Sequence, residues 1–150
     1  TDCDGHPENV LTRDEMLADI AIYWLTNSAE TSAFLMEAIW AGFYLHRKPE
    51  TLWFGPFQGK PACHPISFAK GVCGAAARTR LTQRIDDVHA IADHIACDVA
   101  SRAELVAPVV VNDQLWGVLD LDCPIKGRFS ELCSGLLQRG LIESGLIESG

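Results

Sequence analysis

Residues 104–123 read ELVAPVVVNDQLWGVLDLDC, and this stretch decides the fold. Two runs within it, 104–111 and 115–121, are rich in the β-branched and aliphatic residues that favour strands. The Asn-Asp pair at 112–113 lies between the runs and favours a turn, because both residue types tolerate tight-turn conformations. Pro108 predicts a sheet edge or a bulge, since proline cannot donate a backbone hydrogen bond to a neighbouring strand.

The second of these strands ends in two acids. Side chains alternate between the faces of a strand, so Asp120 and Asp122 share one face. Two carboxyl groups crowded into one pocket would raise the pKa of one of them, which would then stay protonated at neutral pH. This pattern is unusual for a core, and the alternatives to a functional site are a solvated strand end and helix capping.

Upstream of this stretch, the pattern predicts a hairpin followed by irregular chain. Strand formers dominate 39–45 and 51–54, and the polar, proline-containing segment 47–50 lies between them. Glycine and proline are frequent over 55–71, which predicts a loop. The small residues of 72–80 favour a short helix.

Helices are expected at both ends of the chain. Apolar residues at helical spacing predict a helix over 12–26, a second over 30–37, and a closing helix from Phe129 onward. A short strand over 83–88 and a loop or helical turn over 89–101 complete the pattern. This order predicts a layered α/β (α+β) fold, with a largely antiparallel central sheet and helices packed on it.

Length, charge and hydropathy bound the organisation and the partners. The 150 residues suit one domain, which we place at 12–140, after an N-terminal extension at 1–11. The end of the last helix and a tail follow at 141–150, where the sequence GLIES is repeated. A net charge of −8 argues against nucleic-acid binding and against a basic membrane-binding surface. The sequence shows no apolar run long enough to span a membrane and no signal peptide at its start, so we expect a cytoplasmic protein.

The six cysteines are the residues whose chemistry is most open. They stand at positions 3, 63, 73, 97, 123 and 133. Free cysteine is among the most buried residue types, and simple burial is the interpretation we favour for Cys3, Cys123 and Cys133. The other three lie in segments with Gly, Pro or His between regular elements, where functional residues concentrate.

A zinc-binding or thiol interaction module is one alternative. His94 and Cys97 could share a helical turn, and Cys63, His64 and His89 could complete a ligand set. Structural zinc sites usually contain close CxxC pairs, and this sequence has none. Zinc is therefore a minor alternative, and we expect no metal.

Several short motifs together carry a family resemblance. In chain order they are WAGFYL at 40–45, GPFQGKPAC at 55–63, KGVCG at 70–74, TQ at 82–83 with DVH at 87–89, HIACD at 94–98 with Ser101, and LDLD at 119–122. In order and spacing they resemble the free methionine-(R)-sulfoxide reductases, a catalytic branch of the GAF domain family, over about residues 12–137. The resemblance implies a GAF-like fold and thiol-dependent reduction of free L-methionine-(R)-sulfoxide to L-methionine.

The sequence departs from that family at two places. Ala69 stands where the family usually has glycine, and residues 89–94 lack the aromatic residue and the glycine that the family commonly has between two histidines. Asp93 occupies the glycine position, and aspartate tolerates a left-handed backbone conformation. We therefore expect an altered loop over the site, with the thiols intact.

The resemblance assigns roles to three cysteines. It implies that Cys97 is the nucleophile that becomes a sulfenic acid, and that Cys63 resolves this acid as an intramolecular disulfide, with Cys73 as an alternative or relay partner. His94 precedes Cys97 by three residues and either favours the thiolate or has a structural role, and both interpretations stay open. A thioredoxin-like dithiol protein would then reduce the disulfide.

The resemblance also implies roles for acids and aromatic residues. Glu104 and Asp122 match the family's functional carboxylates. A protonated carboxyl would hydrogen-bond the sulfoxide oxygen, and a carboxylate would hold the ammonium group of the free amino acid. The residues expected to contribute to the substrate pocket are Trp40, Tyr44, Asp87 and Asp120.

The last expectations concern partners and a competing function. The resemblance implies no cofactor, and a homodimer is expected from the habit of the family alone. A non-catalytic GAF sensor that binds a small molecule or reads redox state would share the fold and the cavity. The three-cysteine pattern favours the enzyme, because a plain ligand-binding domain does not need it.

Overall fold

The structure, a computed structural model, describes residues 38–92, 97–131, 133–135 and 137–138. Its elements follow in the order β1 (Trp40–Lys48), β2 (Thr51–Gly59), β3 (Ile66–Ser67), α1 (Gly71–Thr79), β4 (Gln83–Ile85), a 3-10 turn (Val88–Ala90), β5 (Ala103–Val111) and β6 (Gln114–Cys123). The described residues from 131 onward are helical. The predicted helices over 12–26 and 30–37 lie outside the described residues.

The strands form one antiparallel sheet in the order β3-β2-β1-β6-β5-β4. β5 and β6 pair along their length as the hairpin that residues 104–123 predict. Asn112 and Asp113 make the turn with φ values of 49° and 60°, a conformation that these two residue types tolerate better than most. The predicted layered fold with a largely antiparallel sheet is confirmed.

Pro108 lies where β5 has a free edge. β4 pairs only with residues 104–106, so beyond this point β6 is the single neighbour of β5 in the described sheet. The register between β5 and β6 also shifts between Val109 and Val110. The edge and the irregularity that the proline predicts are both present.

The β1–β2 hairpin is confirmed, but its second strand is longer than the sequence predicts. The loop expected from Gly55 begins only after Gly59, because β2 continues along β1 through residues 55–59. β3 pairs with Thr51 and Leu52 alone, so Pro56 lies where β2 has one described neighbour and needs no second hydrogen bond. Glycine and proline therefore mark a bulged edge strand here, and the prediction of a loop at 55–59 was wrong.

The alternation of side chains divides the interior into two cores. One face of the sheet packs under the closing helical residues. The core on this side consists of Ala41, Phe43, Leu45, Ala103, Leu105, Ala107, Val109, Leu119, Leu121, Cys123, Phe129, Cys133 and Leu137. The opposite face packs against α1, and the core on that side consists of Trp40, Tyr44, Leu52, Ile66, Val72, Cys73, Ala76, Ala77, Val106 and Val118. The burial predicted for Cys123 and Cys133 is confirmed.

The second face is where the acids of β6 point. Leu119, Leu121 and Cys123 join the first core, and the intervening Val118 joins the second. Asp120 and Asp122 follow Val118 in the same alternation, so they lie on the α1 side of the sheet.

No helix among the described residues has both the length and the apolar character that a membrane span requires.

Candidate active site

A pocket opens between α1 and the sheet. Its polar lining consists of Tyr44, Cys73, Cys97, Asp98, Ser101, Glu104, Asp120 and Asp122. Four of these side chains are acidic, and no lysine, arginine or histidine belongs to the lining within the described part of the chain. The pocket therefore favours a positively charged or hydrogen-bond-donating ligand group.

Different elements bring these side chains together. The antiparallel register places Glu104 of β5 directly opposite Asp122 of β6, close to the end of the hairpin. α1 brings Cys73 over the sheet, where its sulfur lies 3.9 Å from Oε1 of Glu104. The segment that leads into β5 supplies Cys97. The predicted site residues Cys73, Cys97, Glu104, Asp120 and Asp122 thus meet in one pocket.

Asp120 is the acid with the most unusual surroundings. Its side chain is 4% exposed, and its Oδ1 has no hydrogen-bond partner among the described residues. Burial raises the pKa of this carboxyl well above its ordinary value, and the charges of Asp122 and Glu104 raise it further. The crowded, protonated carboxyl expected from the two same-face acids is therefore Asp120.

Cys73 is buried among these acids. Burial raises the pKa of its thiol, and the nearby charges of Asp120 and Glu104 add to the effect. One ligand atom each from Cys73, Glu104 and Asp120 lies within 4.8 Å of the others, so this trio could hold a divalent cation. The trio differs from the zinc set considered from sequence: within the described chain, neither His64 nor His89 joins it, and His94 lies outside the described residues.

Cys97 is half-buried and lies beside Cys63, which is exposed. Burial and the neighbouring Cys63 thiol raise the pKa of the Cys97 thiol to about 12, while the backbone of Cys63 acts in the opposite direction. The described surroundings therefore favour the neutral thiol, contrary to the lowered pKa that a nearby imidazolium would give. Two neighbouring thiols can form a disulfide when their alpha carbons lie within about 7 Å of each other.

An aromatic stack forms one wall of the site. Tyr44 lines the pocket, and its ring stacks on Trp40 with the ring centroids 5.2 Å apart. Trp40 does not line the pocket but supports Tyr44, and its Nε1 is buried without a hydrogen-bond partner among the described residues. Burial raises the pKa of the Tyr44 hydroxyl, and the charge of Asp120 adds to this, so the phenol stays protonated.

Asp87 does not line the pocket. Its Oδ1 accepts a hydrogen bond from the backbone N–H of His89 at 3.1 Å, and its Oδ2 pairs with Nζ of Lys126 at 2.8 Å. The hydrogen bond with Lys126 and the His89 backbone lower the pKa of the carboxyl. The resemblance implied a pocket residue here, but the side chain caps the 3-10 turn instead.

The sequence analysis gave no role to two pocket residues that follow Cys97. Ser101 donates a hydrogen bond from its Oγ to Oδ1 of Asp122 at 2.5 Å. Asp98 accepts a hydrogen bond at its Oδ1 from the backbone N–H of Ala100 at 2.8 Å. The signal was available in the spacing, because an aspartate followed three residues later by serine is typical of a side-chain-stabilised turn.

Ala69 and Ile91, which belong to the two departures from the family pattern, line a second pocket that shares Gly71 and Val72 with the first. Ala69 lies in a turn, and its backbone N–H donates a hydrogen bond to Oγ of Ser67 at 3.2 Å. Residues 93–96 lie outside the described residues, so the altered stretch is described only up to Ala92. Ile91 in that stretch is 37% exposed.

The fold and the pocket define a GAF domain, and the GAF domain family model matches residues 13–139. The free methionine-R-sulfoxide reductase of Escherichia coli K12 is 50% identical over 112 residues, which are 72% of this chain and 67% of that protein. The enzyme of the same name from Saccharomyces cerevisiae is 42% identical over 127 residues, 77% of this chain and 71% of that protein.

A solved structure agrees with these relatives. The X-ray structure of free methionine-R-sulfoxide reductase from Neisseria meningitidis in complex with its substrate is 37% identical, with a TM-score of 0.67. The superposition covers 85% of this chain and 83% of that one. The chain therefore belongs to the free methionine-R-sulfoxide reductases within the GAF domain family, as its motifs predict.

Proposed function

We propose that this chain reduces free L-methionine-(R)-sulfoxide to L-methionine, with Cys97 as the nucleophile and Cys63 as the resolving thiol. The observation that carries the proposal is that Cys97 lines an acidic pocket with the exposed Cys63 thiol nearby. The relatives named for this activity, one of which was solved with its substrate, support the same reaction.

The charge of the pocket supports a free amino acid as the substrate. The ammonium group of free methionine sulfoxide is positively charged, whereas the same nitrogen in a peptide is a neutral amide. A lining with four acids and no described basic side chain stabilises the ammonium group and gives the amide no such advantage. We assign the ammonium group to Asp122 and Glu104, and the sulfoxide oxygen to protonated Asp120.

The first chemical step transfers the substrate oxygen to Cys97. The sulfur of Cys97 attacks the sulfoxide sulfur while Asp120 protonates the sulfoxide oxygen. This attack joins the two sulfurs by a transient bond. The hydroxyl then moves from the substrate sulfur to the Cys97 sulfur: the substrate S–O bond and the transient S–S bond break and an S–O bond to Cys97 forms, so methionine leaves and Cys97 becomes a sulfenic acid. The proton lost by the Cys97 thiol restores the proton donated by the pocket acid, which balances the step.

The second step forms a disulfide. The Cys63 thiol attacks the sulfenic sulfur of Cys97, the S–S bond forms, and the oxygen leaves as water. Cys63 is exposed, so a thioredoxin-like dithiol can reach the disulfide and reduce it by exchange. Cys73 remains the alternative resolving thiol, but its burial and its contact with Glu104 favour Cys63.

The test compares the separate epimers of methionine sulfoxide, each free and as the N-acetyl amide, with dithiothreitol or thioredoxin as the reductant. We expect methionine only from the free R-epimer. Turnover of the acetylated amide at a similar rate would contradict the binding assignment. Binding of the free R-epimer by calorimetry without any turnover would contradict the enzyme and favour the GAF sensor.

A further inference from the structure

A hydrogen bond from Ser101 connects the segment that contains Cys97 to Asp122, an acid of the pocket. Its side chain is 3% exposed, and its Oγ donates to Oδ1 of Asp122 at 2.5 Å, a short hydrogen bond of the kind that hydroxyl groups make to charged oxygens. The two residues are 21 positions apart in the chain. The bond therefore fixes the carboxyl from a different segment of the fold.

The backbone on both sides of Ser101 is held in place. The backbone N–H of Ser101 donates to the carbonyl oxygen of Asp98 at 3.2 Å, which closes the turn that begins next to Cys97. The N–H of Arg102 donates to the carbonyl oxygen of Cys123 at 2.9 Å, which ties the next residue to the end of β6. Cys97 and Asp122 are thus connected through one fixed turn.

We propose that Ser101 is a positioning residue, whose hydroxyl holds the carboxyl of Asp122 oriented for the substrate ammonium group. This inference rests on the proposed function for the identity of the ligand group. Geometry separates the two acids, because Asp122 accepts the hydroxyl while Oδ1 of Asp120 has no partner among the described residues. A hydrogen bond to the charged form of a carboxyl favours that form.

Among the described residues, the titratable side chains that share the pocket lining with Asp122 are Tyr44 on β1, Cys73 on α1, Cys97 and Asp98 in the preceding turn, Glu104 on β5 and Asp120 on β6. None of these six is basic. The Ser101 hydroxyl, which donates to Asp122, stabilises a negative charge there in a way that these six neighbours do not.

The first arm of the test measures Asp122 itself. Carbon NMR of protein labelled at aspartate, assigned with Asp122→Asn, gives the titration midpoint of the Asp122 carboxyl in full-length protein. We expect Ser101→Ala to raise this midpoint by about one pH unit, and Ser101→Thr, which keeps the hydroxyl, to restore it. An unchanged midpoint in Ser101→Ala, with or without a loss of thermal stability, overturns the proposal.

The second arm is kinetic. Ser101→Ala should raise KM for the free sulfoxide about tenfold and change kcat by less than about threefold, with the acidic limb of kcat/KM shifted to higher pH. In the Asp122→Asn background the same substitution should have no further effect on KM, because its route through Asp122 is gone. Additive KM effects would overturn the proposal. Absence of turnover in the intact protein would refute the proposed function, and the NMR arm would still decide the role of Ser101.

Discussion

Cys63 lies close enough to Cys97 for its thiol to affect the pKa of the Cys97 thiol, although 33 residues separate the two in the sequence. Cys97 is half-buried and lines the pocket, and Cys63 is exposed. A substrate bound in the pocket can reach Cys97, whereas a reductant outside the pocket can reach Cys63. The pair therefore divides the two half-reactions between an inner and an outer thiol.

The first prediction concerns the resolving thiol. Cys63→Ser should lower thioredoxin-dependent turnover more than about a hundredfold, because the sulfenic acid on Cys97 then lacks its partner. Cys73→Ser is the matched control and should lower turnover less than about tenfold, since Cys73 is hydrogen-bonded within the carboxyl cluster. Peptide mapping of oxidised intact protein should give a Cys63–Cys97 disulfide. A Cys73–Cys97 disulfide would reverse the assignment.

The second prediction concerns Asp120, a buried acid with an unpartnered oxygen. Asp120→Asn should stabilise the fold by about 1–2 kcal/mol at neutral pH, since the amide donates to the neighbouring carboxylates. The same change should lower kcat at least about a hundredfold, because an amide cannot protonate the sulfoxide oxygen. Thermal unfolding and steady-state kinetics on one preparation measure both effects.

The pH dependence of the unfolding free energy tests whether Asp120 is protonated in the folded protein. The pKa of Asp120 lies above the ordinary value of 3.8 in the folded protein, so the folded state holds this proton more tightly than the unfolded chain. The stability of the intact protein therefore falls as pH rises from about 3.8 through the raised pKa. Asparagine does not titrate, so the advantage of Asp120→Asn should grow with pH over this range. An advantage that shrinks with rising pH would show that Asp120 is charged in the fold.

The third prediction separates two aspartates that the sequence places together at the site. Asp87 pairs with Lys126 outside the pocket, so Asp87→Asn should leave kcat/KM within about twofold of the intact protein. Asp122→Asn, the comparison variant, should raise KM at least about tenfold through the lost ammonium contact. Steady-state kinetics with the free R-epimer distinguish the two. Equal losses of kcat/KM in the two variants would show that Asp87 contributes to the site.

The fourth prediction concerns the close contact of β1 and β6 beneath the pocket. A Cβ at Gly117 would lie 2.2 Å from the carbonyl oxygen of Tyr44, which the rigid sheet cannot relieve. Gly117→Ala should therefore cost at least about 2 kcal/mol of unfolding free energy. At Gly135, on the exposed side of the closing helical residues, a Cβ meets nothing within 4 Å, so Gly135→Ala should stabilise slightly, by at most about 1 kcal/mol. Chemical denaturation of both variants measures the difference, and similar midpoints would be inconsistent with the tight strand pairing.

The sequence predicts features that depend on local periodicity. Alternation along one strand places Asp120 and Asp122 on one face, and the turn at 112–113 sets the hairpin that brings Glu104 opposite Asp122. Features that depend on pairing with a neighbouring strand cannot be predicted from the periodicity of one segment. Whether 55–59 is a loop or a bulged strand depends on β1, which a proline and two glycines do not reveal.

The same distinction holds within the site. Burial and the charges of Asp122 and Glu104 raise the pKa of Asp120, and Asp122 accepts a hydrogen bond from the Ser101 hydroxyl of another segment. The raised pKa of Cys97 depends on its burial and on the neighbouring Cys63 thiol. Family resemblance identifies which side chains matter, but their protonation follows from burial and from partners distant in the sequence.

The most direct test of the central claim is a single-turnover measurement. Fully reduced intact protein and reduced Cys97→Ser are each mixed with excess free L-methionine-(R)-sulfoxide, without any added reductant, and the methionine released and thiols lost are counted. The intact protein should release about one methionine per chain and lose two thiols, which is the stoichiometry of one sulfenic acid resolved as one disulfide. Cys97→Ser should release none. Methionine release by Cys97→Ser, or release by the intact protein with no loss of thiols, would contradict the account.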